Sequence, residues 1–387
     1  MTFTDFDVDL FLRDYWQKKP MLIRNPWQAW ANPVEPDELA GLACEEGVES
    51  RLIGRADGRW SVEHGPLAED RFARMGAAPW TLLVQAVDMH VPGVAALIAP
   101  FRFVPNWRID DVMVSYATDG GGVGAHYDQY DVFLIQGLGR RRWRLGQHCD
   151  ADTPLLVQED LRLLAQFDVT DEWVLEPGDI LYVPPGVAHD GIAVGDDCMT
   201  YSVGFRAPSR SELVEQFCAH MVTDMVEDDR YADPDLRAQA NPGEIDAAAL
   251  ARLQAMVMDA VGDPAAFARW FGTYNSERKY PELDFRPDEQ IAAEDVRELV
   301  ADGVALCRNP ASRFAFVAQG GDAVTLFVDG QAHDCDGDAA LLARQLCAAD
   351  VLTLDPVLME KEAAVSLIVT LYNEGSVSFD PEDGPQD

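Results

Sequence analysis

Apolar positions recur along the chain in four successive patterns. Residues 1 to about 90 carry short stretches at three- and four-residue spacing broken by turns: Phe11, Tyr15 and Trp16 mark a helical face, and Pro20 precedes a short strand, Met21-Leu22-Ile23. From about 100 to 206 the period drops towards two, in short β-rich runs at 112–117, 131–136, 141–146, 172–175, 180–183 and 199–205, punctuated by glycine and proline. That texture predicts an antiparallel barrel or jelly roll. Helical spacing returns between about 209 and 275, in the stretches 211–226 and 250–261, as a small bundle would require. After the proline-containing segment 280–289, residues 290 to 387 predict an α+β unit, with helices over 292–304, 338–347 and 358–375 and strands over 313–319, 323–328 and 376–379. Helices followed by a short hairpin are the pattern of a winged-helix module. No internal repeat and no long low-complexity segment interrupts this order.

Length and composition then limit the function classes. At 387 residues the chain is long enough for two or three domains, and 48% hydrophobic with 25% charged residues is ordinary globular composition. No run approaches the ~18 apolar residues of a membrane span. The first residues mix acids with apolar side chains, unlike a secretory leader, so a cytoplasmic location is expected. Seven cysteines without a CxxC pair argue against a disulfide framework and against a cysteine zinc site. The formal net charge of −37 repels nucleic-acid phosphates and attracts basic partners, so direct nucleic-acid binding, including by the winged-helix-like unit, is not expected. Solubility and adaptation to salt account for such acidity equally well.

Candidate chemistry concentrates in Gly120-Gly121-Gly122-Val123-Gly124-Ala125-His126-Tyr127-Asp128. On a strand, residues i and i+2 share a face, which directs His126 and Asp128 into the barrel and Tyr127 away from it. Further on, 176–189 reads as turn, strand, turn and then a second histidine, His189. Brought together, His126, Asp128 and His189 make a two-histidine, one-carboxylate triad, which leaves coordination positions open on non-haem Fe(II). An HxD pair alone is common by chance; the glycines before it, the β texture between the ligands and the framing Pro-Gly-Asp and Pro-Pro-Gly turns make the joint signal specific. The same ligands would hold zinc or manganese in a cupin isomerase. After Asp128, Gly137-Leu138-Gly139 predicts a turn that returns the chain along a neighbouring strand. An inward arginine from Arg140-Arg141-Arg142 there would clamp a dicarboxylate with two charge-assisted hydrogen bonds. His64, His90, His148, His220 and His333 lack such context and read as structural or exposed. Tyr130, Asp131 and Gln136 lie close enough in sequence to the metal strand to be candidates for gripping a substrate.

In these segments, and through 15–27, 79–90, 101–117, 120–146 and 176–191, the sequence resembles the JmjC-type 2-oxoglutarate oxygenases. It most resembles the bacterial ribosomal oxygenases that hydroxylate an arginine of a large-subunit ribosomal protein. The resemblance implies a mainly β core, a double-stranded β-helix of jelly-roll, cupin-like form, with a helical dimerisation region and a C-terminal winged-helix-like α+β domain. The corresponding bounds are 1–206 for the catalytic domain, with its β core at about 100–206, then 207–285 and 286–387. It further implies Fe(II) held by His126, Asp128 and His189, O2 as oxidant, and 2-oxoglutarate whose distal carboxylate is held by Arg141 with a hydroxyl from Ser115. A basic ribosomal protein as substrate and a homodimer follow from the same resemblance. Two other functions share much of the pattern: a 2-oxoglutarate oxygenase for another side chain, as a histidyl hydroxylase or demethylase, and a noncatalytic cupin that captures a peptide.

Overall fold

The computed structural model describes every residue except 1, 5, 77, 158–160, 224, 226–228 and 381–387. It divides into two units, residues 1–207 and 208–387.

The first unit is built on a sheet whose short early strands lead into two long ones. Its strands are β1 (Met21–Ile23), β2 (Ser50–Ala56), β3 (Arg59–His64), β4 (Trp80–Val84), β5 (Ile109–Ala117), β6 (Asp131–His148), β7 (Asp171–Leu175), β8 (Ile180–Val183) and β9 (Val187–Phe205). They pair in the order β1-β8-β6-β9-β5-β4-β2-β3, with β7 added to β6, all antiparallel. The helices α1 (Val8–Asp14), α2 (Pro36–Leu42), α3 (Asp70–Ala73) and α4 (Pro92–Ala95) accompany it. One face of the sheet packs into a core that includes Phe11, Leu39, Phe101, Val112, Val114, Phe133, Tyr182 and Phe205. The other face, with Val132, Leu134, Trp143, Leu145, Leu175, Leu181 and Val183, forms a second apolar cluster. Apolar burial on both faces of β6 and β8 explains why these strands read as nearly continuous hydrophobic runs.

The chain departs from two expectations. Gly137-Leu138-Gly139 makes no hairpin: β6 runs through it, and the pairing to β9 shifts register between Gln136 and Leu138 and again between Leu138 and Arg140. Gly139 absorbs the shift at φ 57°, while a side chain at Gly137 would sit 2.5 Å from the Tyr201 ring. The glycines therefore serve a bulge inside one long strand, where β9 supplies pairing on both sides. The region before residue 90, expected to mix helical patterns with turns, also contributes the three strands β2, β3 and β4. Asp57 and Gly58, both at positive φ, join β2 to β3 in a two-residue hairpin whose Asp-Gly signature is the recognisable signal.

The second unit begins with α5 (Arg210–Thr223), α6 (Ala247–Val261) and α7 (Pro264–Ser276), as the helical spacing predicts. Phe217 of α5 meets Phe267 and Trp270 of α7 at ring separations of 5.1 and 5.0 Å. There follow α8 (Ala293–Ala301), β10 (Ala305–Arg308), β11 (Phe314–Gly320), β12 (Ala323–Val328), β13 (Gln331–Cys335), α9 (Gly337–Ala348), β14 (Val351–Leu352), α10 (Glu362–Asn373) and β15 (Val377–Asp380). Two three-stranded sheets result, β14-β10-β15 and β11-β12-β13, around a core from α8, α9, α10 and the strands. Helix α7 lies against the second sheet so closely that a Cβ on Gly272 would come within 2.5 Å of the Phe327 ring. No described helix is long and apolar enough to cross a membrane.

Candidate active site

His189 is the third residue of β9 and is 2% exposed. The segment carrying His126 and Asp128, expected to be a strand, is less regular than that: it meets β9 at an isolated antiparallel bridge, His126 to His189, closed by two backbone hydrogen bonds of 3.0 and 2.8 Å, and further back Gly120 and Gly121 bond to the Ala193 backbone at 3.1 and 2.8 Å. The glycines explain the difference. Gly120 and Gly124 adopt positive φ, and a Cβ on Gly122 would meet the Gly191 carbonyl at 2.5 Å, so the segment lies on β9 without extended β conformation. The i, i+2 relation nonetheless directs His126 and Asp128 to one side. One ligand atom from each of His126, Asp128 and His189 lies within 4.8 Å of the others. The Asp128 Oδ2 is 3.5 Å from His189 Nε2 and 4.0 Å from His126 Nε2.

The groups that orient these imidazoles are backbone carbonyls, which no side-chain pattern in the sequence marks. His126 Nδ1 is 2.8 Å from the Gly124 carbonyl and His189 Nδ1 is 2.9 Å from that of Val187. Each ring thus donates from Nδ1 to the carbonyl two residues upstream and turns the Nε2 lone pair towards Asp128, the arrangement metal-binding histidines use. Burial, reinforced by the neighbouring His126, lowers the His189 pKa to about 4, so its imidazole is neutral near pH 7. Two imidazole nitrogens and one carboxylate oxygen, with Asp128 and His126 partly open to solvent, suit a divalent first-row metal with free positions.

The same face of the barrel carries the arginine. Register pairs Leu145 with His189, Trp143 with Gly191 and Arg141 with Ala193, so these six residues point inward together. Arg141 is 3% exposed, whereas Arg140 and Arg142 are exposed. Its Nη2 donates to Ser115 Oγ at 3.4 Å, its guanidinium carbon lies 5.8 Å from the Trp143 ring, and its Nε has no hydrogen-bond partner. Among the described residues no carboxylate pairs with it. The small side chains of Ala117, Ala193 and Cys198 cluster on neighbouring strands.

The three further candidates separate. Asp131, fully buried, accepts from Tyr182 Oη at 2.6 Å, Gln17 Nε2 at 2.9 Å and Arg108 Nη2 at 3.2 Å, so its hydrogen bonds hold the fold together. The Gln136 amide donates to the Leu138 and Met199 carbonyls at 2.7 and 3.1 Å and accepts from Thr200 at 3.2 Å. Tyr130 is half exposed, and its hydroxyl is held above its ordinary pKa by desolvation and then by the charge of Asp128. Of the other histidines, His64, His90, His148 and His220 are exposed and His333 is half-buried.

Comparison with known proteins agrees with this geometry. A JmjC-domain family model matches residues 96–213, and a ROXA-like winged-helix model matches residues 254–378. The chain is 38% identical over 379 residues to the ribosomal protein uL16 3-hydroxylase of Escherichia coli, covering 96% of this chain and 97% of that one. It is 38% identical over 325 residues to a probable ribosomal oxygenase of Haemophilus influenzae, covering 78% and 76%. The solved structure of the Escherichia coli ribosomal oxygenase YcfD with cobalt and 2-oxoglutarate superposes with a TM-score of 0.86 at 35% identity, covering 98% of this chain and 99% of that one.

Proposed function

The chain belongs to the JmjC-type 2-oxoglutarate oxygenases of the ribosomal-oxygenase group, and from that membership we propose that it hydroxylates an arginyl residue of a large-subunit ribosomal protein. It is an Fe(II)- and 2-oxoglutarate-dependent oxygenase, and the relative whose name specifies uL16 makes that protein the first substrate to test. The observation that carries the reading is the pairing, on one inward face, of the His126-Asp128-His189 cluster with a buried guanidinium that lacks a carboxylate partner. A peptide-capturing cupin has no physical need for either. A cupin isomerase would need the metal ligands and not the orphaned arginine.

In this reading His126, Asp128 and His189 hold the iron, which when bound supplies oxidation of a substrate carbon by O2 coupled to decarboxylation of 2-oxoglutarate. The chain's own residues place the reactants. Arg141 binds the distal carboxylate of 2-oxoglutarate with its guanidinium fork, Ser115 adds a hydroxyl, and the Gly124 and Val187 carbonyls keep both imidazoles in the ligating tautomer. The apolar cluster of Val132, Leu134, Leu181 and Val183 keeps bulk water from that side of the barrel. The net charge of −37 raises the encounter rate with a basic ribosomal protein in the cytoplasm, an effect that salt weakens. The test is incubation of recombinant uL16 with the protein, Fe(II) and 2-oxoglutarate, followed by tandem mass spectrometry: one added oxygen on an arginine is expected. Oxygen on a histidine, or loss of a methyl group, would replace this reading by the histidyl-hydroxylase or demethylase alternative.

A second copy of the chain is the proposed partner of the helical region at about 209–285. Helix α6 has no buried residue among those described and exposes Leu250, Leu253, Val257 and Met258 to 43–62%. Apolar helix faces of this kind are covered in solution. Light scattering should give twice the 42.7 kDa chain mass, and a Leu253→Asp, Val257→Asp double variant should give the monomer. A monomeric parent protein at micromolar concentration would overturn the dimer.

A further inference from the structure

Trp143 is 5% exposed, and its indole Nε1 is buried without a hydrogen-bond partner. A buried indole N–H normally has an acceptor, because leaving it unpaired forfeits the hydrogen bond it made to water. The position of this one narrows the explanation. On β6, Trp143 stands two residues after Arg141 on the same inward face, and its ring is 5.9 Å from that of His189. The benzo edge is pressed on the backbone of Gly191, where a Cβ would come within 2.7 Å of Cζ3 and Cη2. That contact requires glycine between His189 and Ala193 and fixes the ring's place between the metal cluster and the arginine. Two donors on this face, Arg141 Nε and Trp143 Nε1, thus lack acceptors, and the two side chains are neighbours, the Arg141 guanidinium carbon lying 5.8 Å from the Trp143 ring.

The geometry points to Trp143 as a third protein donor to that cosubstrate: Nε1–H donates to an oxygen of the 2-oxoglutarate held by Arg141. The inference rests on the cosubstrate assignment above and deepens it. It makes Trp143 a specificity-determining residue, because an indole N–H accepts nothing and so favours ligands that present an oxygen acceptor between the metal and the arginine. A nearby apolar ring without a donor would fill the same volume and provide no such preference.

The test uses the full-length protein labelled with ¹⁵N at the tryptophan indoles and loaded with Zn(II), a diamagnetic stand-in that does not turn over. The nine tryptophans yield nine indole signals, and Trp143→Phe identifies the one that matters. On adding 2-oxoglutarate, that signal should move downfield in the proton dimension. By calorimetry Trp143→Phe should weaken 2-oxoglutarate binding about tenfold while leaving Zn(II) affinity unchanged, the loss expected for one neutral donor to a charged acceptor. Binding of 2-oxoglutarate with no downfield indole shift, and with equal affinity in Trp143→Phe, would overturn the inference and leave the function of Arg141 standing. Failure of the parent protein to bind 2-oxoglutarate at all would overturn the cosubstrate assignment itself. If Trp143→Phe does not fold, the titration of the parent decides alone: no indole signal moving downfield overturns the inference.

Discussion

One strand, β6, carries two buried charges whose surroundings are opposite. At its start Asp131 is fully buried and has three donors, Tyr182, Gln17 and Arg108. Further along, Arg141 is almost as deeply buried and has one long contact, to Ser115 at 3.4 Å, with its Nε unpaired. A buried charge is tolerated when it is paired and hydrogen-bonded and is costly when it is not. The closed network therefore belongs to folding, and the open one is where the proposed function has a ligand of opposite charge complete the structure. The His126-Asp128-His189 cluster is open in the same sense: its two imidazoles are oriented by backbone carbonyls, and their remaining nitrogens face Asp128.

The comparison is tested most severely at the triad. His126→Ala, Asp128→Ala and His189→Ala should each lower turnover by more than the ~100-fold that loss of an outer-shell partner costs, with circular dichroism unchanged. Unchanged 2-oxoglutarate turnover in any folded variant removes that residue from the ligand set. Next in size is Arg141→Ala, which should weaken 2-oxoglutarate binding by about 3 to 5 kcal/mol, leave metal binding intact and retain or raise thermal stability, since it deletes an unpaired charge. Arg141→Lys should mainly raise the apparent KM for 2-oxoglutarate, because the fork is lost and the charge kept. Asp131→Ala should do the reverse of Arg141→Ala: a loss of about 3 kcal/mol in urea unfolding, from the stranded Arg108, with 2-oxoglutarate affinity in the surviving folded protein unaltered. If Asp131→Ala impairs cosubstrate binding as much as Arg141→Ala does, the distinction between the two ends of β6 fails. The smallest effects belong to Arg140→Ala and Arg142→Ala, whose side chains are exposed; the Arg142 to Glu172 ion pair at 3.7 Å is of the surface kind. Stability should change by no more than about 0.5 kcal/mol and 2-oxoglutarate affinity not at all. A strong effect at either position would shift the inward face by one residue.

Much of this was legible in the residues themselves, for identifiable reasons. Side-chain alternation puts Arg141 on the face opposite Arg140 and Arg142, the family resemblance singled out Arg141 among the three, and Pro-Gly-Asp and Pro-Pro-Gly bracket β8 as turn chemistry requires. The helices at 210–223, 337–348 and 362–373 carry their period over three turns or more and were readable from it. Short strands such as β10, β13 and β14 are defined by their partners more than by their own pattern, and they were not foreseen. Gly137-Leu138-Gly139 misled for a related reason: glycine permits a turn and a bulge equally, and only β9, pairing on both sides, selects the bulge.

Local chemistry alone thus established which side chains are available: two histidines and a carboxylate at set spacings, an arginine on one face of a strand, and an acidic surface around them. Such properties depend on residues a few positions apart, and sequence records those distances directly. What only the folded chain settled is which charges are satisfied. Asp131 and Arg141 look alike as buried charges on an apolar strand, and their difference lies in Gln17, Arg108 and Tyr182, brought to Asp131 from distant parts of the chain, and in the absence of any described carboxylate brought to Arg141. Pairing across such separations is a property of three-dimensional packing, and no local pattern encodes it.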